Sequence, residues 1–328
     1  MATAYHRDQP GAPALTYSAA AASVAQFQIL KEILKACLID GYGEAPAAGW
    51  ELVNEGTNFI VLRNGSRSGY VCLTCTGQLF RIYLSATYTG MNGNVMAGDG
   101  LKSGVTANNG TPQALGNYCI AYSPASSSWA VVADEKTFVL SQTSALSPTP
   151  TSLATTATLA YVGATLYVGE DTQGHFISVG GQNTASNTYS AALGKFSGLG
   201  FTSLVDPSTG LLVDSGGLSV HTPQFRDDNS YLALNSVVYP LAGATLAKAF
   251  WVGGEVYAGE LRGVAVVSEL PNTTNTSHAA RSLGYPEVMN TRTGSTPLDL
   301  GDEHFYFCRM GQLNACPFFL LTDNPEFW

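Results

Sequence analysis

The sequence predicts a mainly β protein, built from antiparallel sheets in sandwich or barrel modules, with one α-helix near the N-terminus. Only one stretch, residues 18–40, repeats its apolar residues at helical spacing. From Gly41 onward the chain changes to short runs of β-branched and aromatic residues parted by Gly, Asn and Ser. Those runs recur to the end of the chain, with no second helical stretch among them.

The helix rests on Phe27, Leu30, Leu34, Cys37 and Leu38, whose three- and four-residue spacing gathers them on one face. Gly41 follows and is suited to the left-handed conformation that ends a helix. Lys35 lies near that end, where a cation complements the helix dipole.

Next, Phe59-Ile60-Val61-Leu62 and Tyr70-Val71-Cys72-Leu73 flank a polar Gly-containing segment and read as a hairpin with a long turn. Residues 79–88 alternate bulky apolar and polar side chains, the pattern of a long half-buried strand. Residues 91–112 are rich in Gly and Asn and read as an extended loop. A second hairpin is expected from residues 129–134 and 137–140, turning at Asp134-Glu135-Lys136. Residues 144–158 are mostly Ser, Thr, Ala and Pro, the composition of an extended connector. That divides the chain into a helix-plus-β domain (1–143) and a second β domain (159–328), although the same composition serves a long loop inside one domain. Later strands are expected at Leu166-Tyr167-Val168, Phe250-Trp251-Val252, 264–267, 305–308 and 318–321, with a polar loop at 271–278. The chain closes on Phe327 and Trp328, large aromatics that seek burial.

Charged residues are 12% of the 328, about half the usual ~25% of soluble domains. Two accounts fit this: much surface buried against neighbouring subunits, or a neutral surface rich in hydroxyls. The net charge is −9, with 24 acids against 15 bases and no Lys/Arg cluster, which disfavours nucleic acid as a partner. No uncharged apolar run reaches the length of about 18 residues needed to span a bilayer, so membrane insertion is not expected. The longest candidate, 19–39, is interrupted by Lys31, Glu32 and Lys35. The first ten residues lack the pattern of an export signal, so the product is expected to be soluble and made in the cytoplasm, with its six cysteines reduced.

Candidate chemistry is sparse. Leu211-Leu212-Val213-Asp214-Ser215-Gly216 is similar to the active-site loop of pepsin-like aspartic proteases, which need two such aspartates sharing one proton. Asp171-Thr172-Gln173 breaks the only approach to a second copy, and Asp214-Ser215-Gly216 also makes an ordinary turn. Cys72-x-x-Cys75 lacks a second pair for zinc, and on a strand its two thiols would face opposite ways. The five histidines are scattered, and neither a zincin motif, a nucleophile elbow nor a phosphate-binding loop is present. No catalytic, cofactor-binding or metal-ligating residue is therefore assigned. Paired carboxylates for glycan hydrolysis can come from distant strands and stay open as the enzyme alternative.

Several segments resemble a family of tailed-bacteriophage virion proteins. They are Gly11-Ala12-Pro13, the helix end Ala36-Cys37-Leu38 with Gly41-Tyr42-Gly43, Ala48-Gly49-Trp50, residues 58–64 and residues 79–92. Further along come Trp129-Ala130-Val131-Val132-Ala133-Asp134 with Thr137-Phe138, Leu261-Arg262-Gly263 with Leu270-Pro271, and the closing residues 319–328. The motifs are structural rather than chemical. The resemblance implies a virion component, in the tail, baseplate or head–tail region, whose partners are other virion proteins and copies of itself. A capsid decoration protein, or a tail protein binding or cleaving host surface glycans, is the alternative. The apolar segment 1–17 is expected to dock on a partner, and Ala12, Pro13, Tyr17, Phe327 and Trp328 are the candidate assembly contacts.

Overall fold

The computed structural model describes residues 1–14, 24–76, 79–99, 115–118, 128–143, 163–179, 204–205, 212–213, 218–221, 245–253, 257–268, 297, 301–308 and 319–328. Strand β1 (Thr3–His6) opens the chain, and helix α1 (Val24–Lys35) continues as a wider π-type turn over Ala36–Asp40. Strands β2 (Glu51–Gly56), β3 (Phe59–Arg63), β4 (Tyr70–Thr76) and β5 (Leu79–Ser85) follow, then β6 (Gly90–Asn92), β7 (Val95–Ala97) and β8 (Leu115–Tyr118). Next come β9 (Ser128–Ala133), β10 (Thr137–Thr143), β11 (Gly163–Glu170) and β12 (Phe176–Val179). The short β13 (Leu204–Val205) and β14 (Leu212–Val213) precede β15 (Leu218–His221) and β16 (Thr245–Gly253). β17 (Tyr257–Ser268), β18 (Tyr306–Cys308), β19 (Phe319–Thr322) and a 3-10 turn at Pro325–Phe327 complete the order.

The protein is mainly β, with antiparallel pairing throughout the described ladders and one α-helix among the described residues. Among the described strands the large sheets are open rather than closed into barrels. Their strand orders are β1-β9-β10-β11-β12, β2-β3-β4-β5-β8 and β15-β16-β17-β19-β18.

The first of these is the central layer, and its side chains alternate between two cores. Tyr5, Trp129, Val131, Ala133, Phe138, Leu140, Leu166, Val168 and Phe176 face one core, which they share with the helix and the inner face of the β2–β8 sheet. Ala4, Ala130, Val132, Val139, Tyr167 and Ile177 face the other, where Trp251, Leu261, Val264, Phe307 and Leu321 meet them. Both faces of one sheet are thus dry, which is why its strands read as unbroken apolar runs.

The helix joins the first core through Phe27, Leu30, Ile33, Leu34, Cys37 and Leu38. Lys31 ties it to the β2–β3 turn, donating to the Gly56 carbonyl at 2.7 Å. It stops at Gly41, whose φ of +75° suits glycine and where a Cβ would meet the Ala45 carbonyl oxygen at 2.8 Å. The helical periodicity from residue 18 begins before Val24, and residues 15–23 lie outside those described.

Two local expectations need correction. The strand expected over 79–88 ends at Ser85, because Ser85 Oγ and the Ala86 N–H turn to the Asp99 carbonyl and leave the ladder. The loop expected over 91–112 begins inside a small hairpin, β6 with β7, joined through Gly93 at φ +61°. This hairpin covers the outer face of the β2–β8 sheet, burying Met96 with Val61, Cys72 and Tyr83. Ile82, Tyr83 and Leu84 are accordingly buried in succession, where a half-buried strand was expected.

The strands on either side of 144–158 pair with each other from Thr137↔Gly169 to Thr143↔Gly163. One sheet therefore spans the expected boundary; residues 144–158 themselves are outside the described set, as are 271–278.

Leu34 is fully buried in the core shared by the helix and two sheets. Leu34→Ala is expected to destabilise the fold by about 2–5 kcal/mol in urea unfolding, against less than about 0.5 kcal/mol for Glu32→Ala on the exposed face.

Candidate functional site

The β9–β10 turn and the segment after β11 in the central sheet, the β3–β4 turn, and residues within β16 and β17 come together in one place, and there the buried charge collects. Asp134 begins the turn between β9 and β10. Its Oδ1 accepts the N–H groups of Lys136 and Thr137 at 2.8 and 2.9 Å, a local turn motif that short Asp side chains favour. Oδ2 is left to pair with the Arg262 guanidinium from β17. The Asp134 carbonyl accepts the Trp50 indole N–H at 2.9 Å.

Arg262 is aimed by an irregularity in its strand. The register with β16 shifts between Lys248↔Ala265 and Phe250↔Glu260, and Gly263 takes φ +69°. Such a bulge re-aims a side chain out of the regular pleat. A Cβ on Gly263 would lie 2.3 Å from the Trp328 ring, so the position excludes a side chain by crowding as well as by backbone conformation. Trp328 stacks on the guanidinium at 5.5 Å and donates its indole N–H to the Thr322 carbonyl at 2.7 Å.

A parallel arrangement lies one turn away. Asp171 directly follows β11 and is 1% exposed. Its Oδ1 accepts the N–H groups of Gln173 and His175 at 2.8 and 2.9 Å. Oδ2 accepts the Trp251 indole N–H at 2.9 Å and lies 2.8 Å from His175 Nδ1. The backbone of β17 lies directly beneath, since a Cβ on Gly259 would fall 1.9 Å from Oδ2. Glycine is required there for close approach.

Asn64 knits in the remaining sheet. Its carbonyl oxygen accepts the Ser68 N–H at 2.9 Å, and its amide donates to Ser66, Ser68 and the Lys136 carbonyl. Glu170 accepts from the Ser66 hydroxyl and lies 3.6 Å from Lys136 Nζ. Tyr167 donates to the Glu170 carbonyl at 2.6 Å and accepts from the Arg262 N–H; its burial pushes the phenol well up, so it stays protonated.

Chemically this is a seam. The Asp134 and Asp171 carboxylates are held by turn N–H groups and by Arg262, Trp251 and His175. A charge buried in this way is stable only with such partners. Among the described residues no group of three or more His, Cys, Asp or Glu is placed to hold a metal ion. Cys72 and Cys75 lie on opposite faces of β4, in different cores, and burial pushes both thiols up.

The residues named from sequence have varied fates. Ala12 packs on the core shared with the helix, and the Pro13 carbonyl accepts the Trp129 indole N–H at 3.1 Å. Phe327 is buried, and Trp328 belongs to the seam. Tyr17 and Asp214-Ser215-Gly216 lie outside the described residues. Sequence reading passed over Asn64, Glu170, Asp171 and His175. The available signal was the turn chemistry of Asp171-Thr172-Gln173-Gly174, read only as a failed protease motif. Compared with family models, characterised proteins and solved structures, the chain has no match in any of the three.

Removing one partner of the Asp134–Arg262 pair strands the other charge in a site where both side chains are under 15% exposed. Arg262→Ala is expected to cost about 3 kcal/mol in chemical denaturation, and a cycle with Asp134→Ala to give a coupling of about 1–3 kcal/mol. Additive single effects would show that the pair contributes nothing.

Proposed function

We propose that this chain is a structural component of a tailed-bacteriophage virion, in the tail, baseplate or head–tail region, acting by assembly rather than catalysis. One observation carries the reading. Segments that resemble the virion family, far apart in sequence, converge on the seam: Trp50, Asp134, Arg262-Gly263 and Trp328. Each has a task there that is mechanical, a hydrogen bond, an ion pair or a close contact. Motifs that hold sheets together suit a protein whose product is a shape.

Composition adds support. Charged residues are only 12% of the chain, about half the usual ~25% of soluble domains, so charge is sparse over the surface. Large contacts with copies of itself and with other virion proteins fit such a surface. A closed ring is the natural assembly, because one interface repeated by rotation completes it.

The test is quantitative protein identification on purified particles, with heads and tails separated. The reading expects the chain in the tail fraction, in multiples of three or six copies per particle. Hundreds of copies in the head fraction would make it a capsid decoration protein, and absence from both fractions would overturn the structural role.

A further inference from the structure

We infer that His6 is an acid-sensitive latch on the N-terminal strand: its uncharged ring holds β1 against β18, and protonation frees β1 from the edge of the central sheet. This does not depend on the assembly reading. β1 is an edge strand whose described ladder runs only to β9, from Thr3↔Ala133 to His6↔Ala130. An edge strand with a single neighbour is among the first elements to open locally.

The His6 ring lies 5.5 Å from Phe307 and 6.1 Å from Phe305, at tilts of 48° and 46°. Those two rings stack on each other at 6.2 Å, and Phe307 is fully buried. His6 therefore bridges the edge of the central sheet to the edge of the β15–β19 sheet. Its Nδ1 is buried and makes no hydrogen bond among the described residues. A neutral ring tolerates that, but a proton added there would meet no acceptor among the described residues, and the charge would sit on a half-buried ring.

The neighbouring charges do not rescue it. Asp8, the nearby carboxylate that favours the proton, pairs with Arg7 at 3.1 Å and is 45% exposed. On the β18 side, Asp302 accepts from the Tyr306 hydroxyl and the His304 N–H, and Asp323 accepts the Phe305 N–H at 2.8 Å. His304 itself lies 3.8 Å from Asp323. Burial lowers the His6 pKa and Asp8 only partly offsets it. The folded state thus favours the neutral ring. Its full hold is present above the free histidine value near 6.5 and is lost as the pH falls from there through the lower folded value. The other ties of the segment, Tyr5 to the Pro46 carbonyl and Tyr42 to Gln9, do not titrate in that window.

The experiment is amide hydrogen exchange on the full chain at pH 7.5 and 5.5, corrected for the intrinsic pH dependence of exchange. Protection of residues 3–6 and 128–133 is expected to fall in acid, by up to about tenfold between these two pH values, while β3 and β4 stay unchanged. His6→Phe keeps a ring without a charge and should abolish the fall, which separates His6 from His175 and His304. His6→Gln serves the same purpose if the Phe variant packs poorly, and an NMR titration of His6 in the unaltered chain needs no variant. Protection independent of pH, an equal fall in His6→Phe, or a His6 titration at or above 6.5 would overturn the latch.

Discussion

A sheet that is dry on both faces leaves its polar groups nowhere to go but its ends. The central β1-β9-β10-β11-β12 sheet is held between two cores, and each of its strands sends alternate side chains to each. Burying one large apolar side chain contributes on the order of 1.5–3 kcal/mol. Trp129, Phe138, Tyr167 and Trp251 are all fully buried. The cohesion of the stack therefore comes from apolar contact. The ion pairs at its end contribute less net stability than their geometry suggests, because desolvation offsets most of their attraction. What they fix is register: Asp134 meets Arg262, and Asp171 meets Trp251, only when the outer sheet sits in one position on the central one.

Glycine makes that fit achievable. Gly259 and Gly263 lie in one strand, four residues apart, and each removes a side chain from a place where another group must lie flat on the backbone. The first admits a carboxylate and the second an indole. Between them the bulge turns Arg262 toward Asp134. Three successive features of β17 thus serve the same contact with the neighbouring layer.

The architecture was legible where the signal is local. Helical spacing from Phe27 to Leu38 and the Gly41 stop marked the helix end, and short apolar runs parted by polar turns marked β3, β4, β9 and β10. The hairpin of β6 and β7 was hidden because Gly and Asn describe a tight turn and a loose loop equally well; burial of Met96 distinguishes them, and burial is not local. The seam was hidden for the same reason. Asp134 and Arg262 each stood out in motifs, yet nothing in either motif names the other. Asp171 looked like a broken catalytic loop because Asp followed by a small polar residue is equally the start of a turn.

Separation along the chain has a kinetic side. The seam joins Trp50 to Asp134 across 84 positions, Ser66 to Glu170 across 104 and Asp134 to Arg262 across 128. Closing such long loops costs chain entropy before any contact rewards it, and folding slows as that separation grows. Local hairpins such as β3–β4 and β9–β10 can form early, while the seam can close only after three sheets have found one another. Contacts made late in folding are broken early in unfolding, so they set how long the finished molecule lasts rather than how fast it is made. Under the structural role proposed above, that lifetime is the quantity that matters.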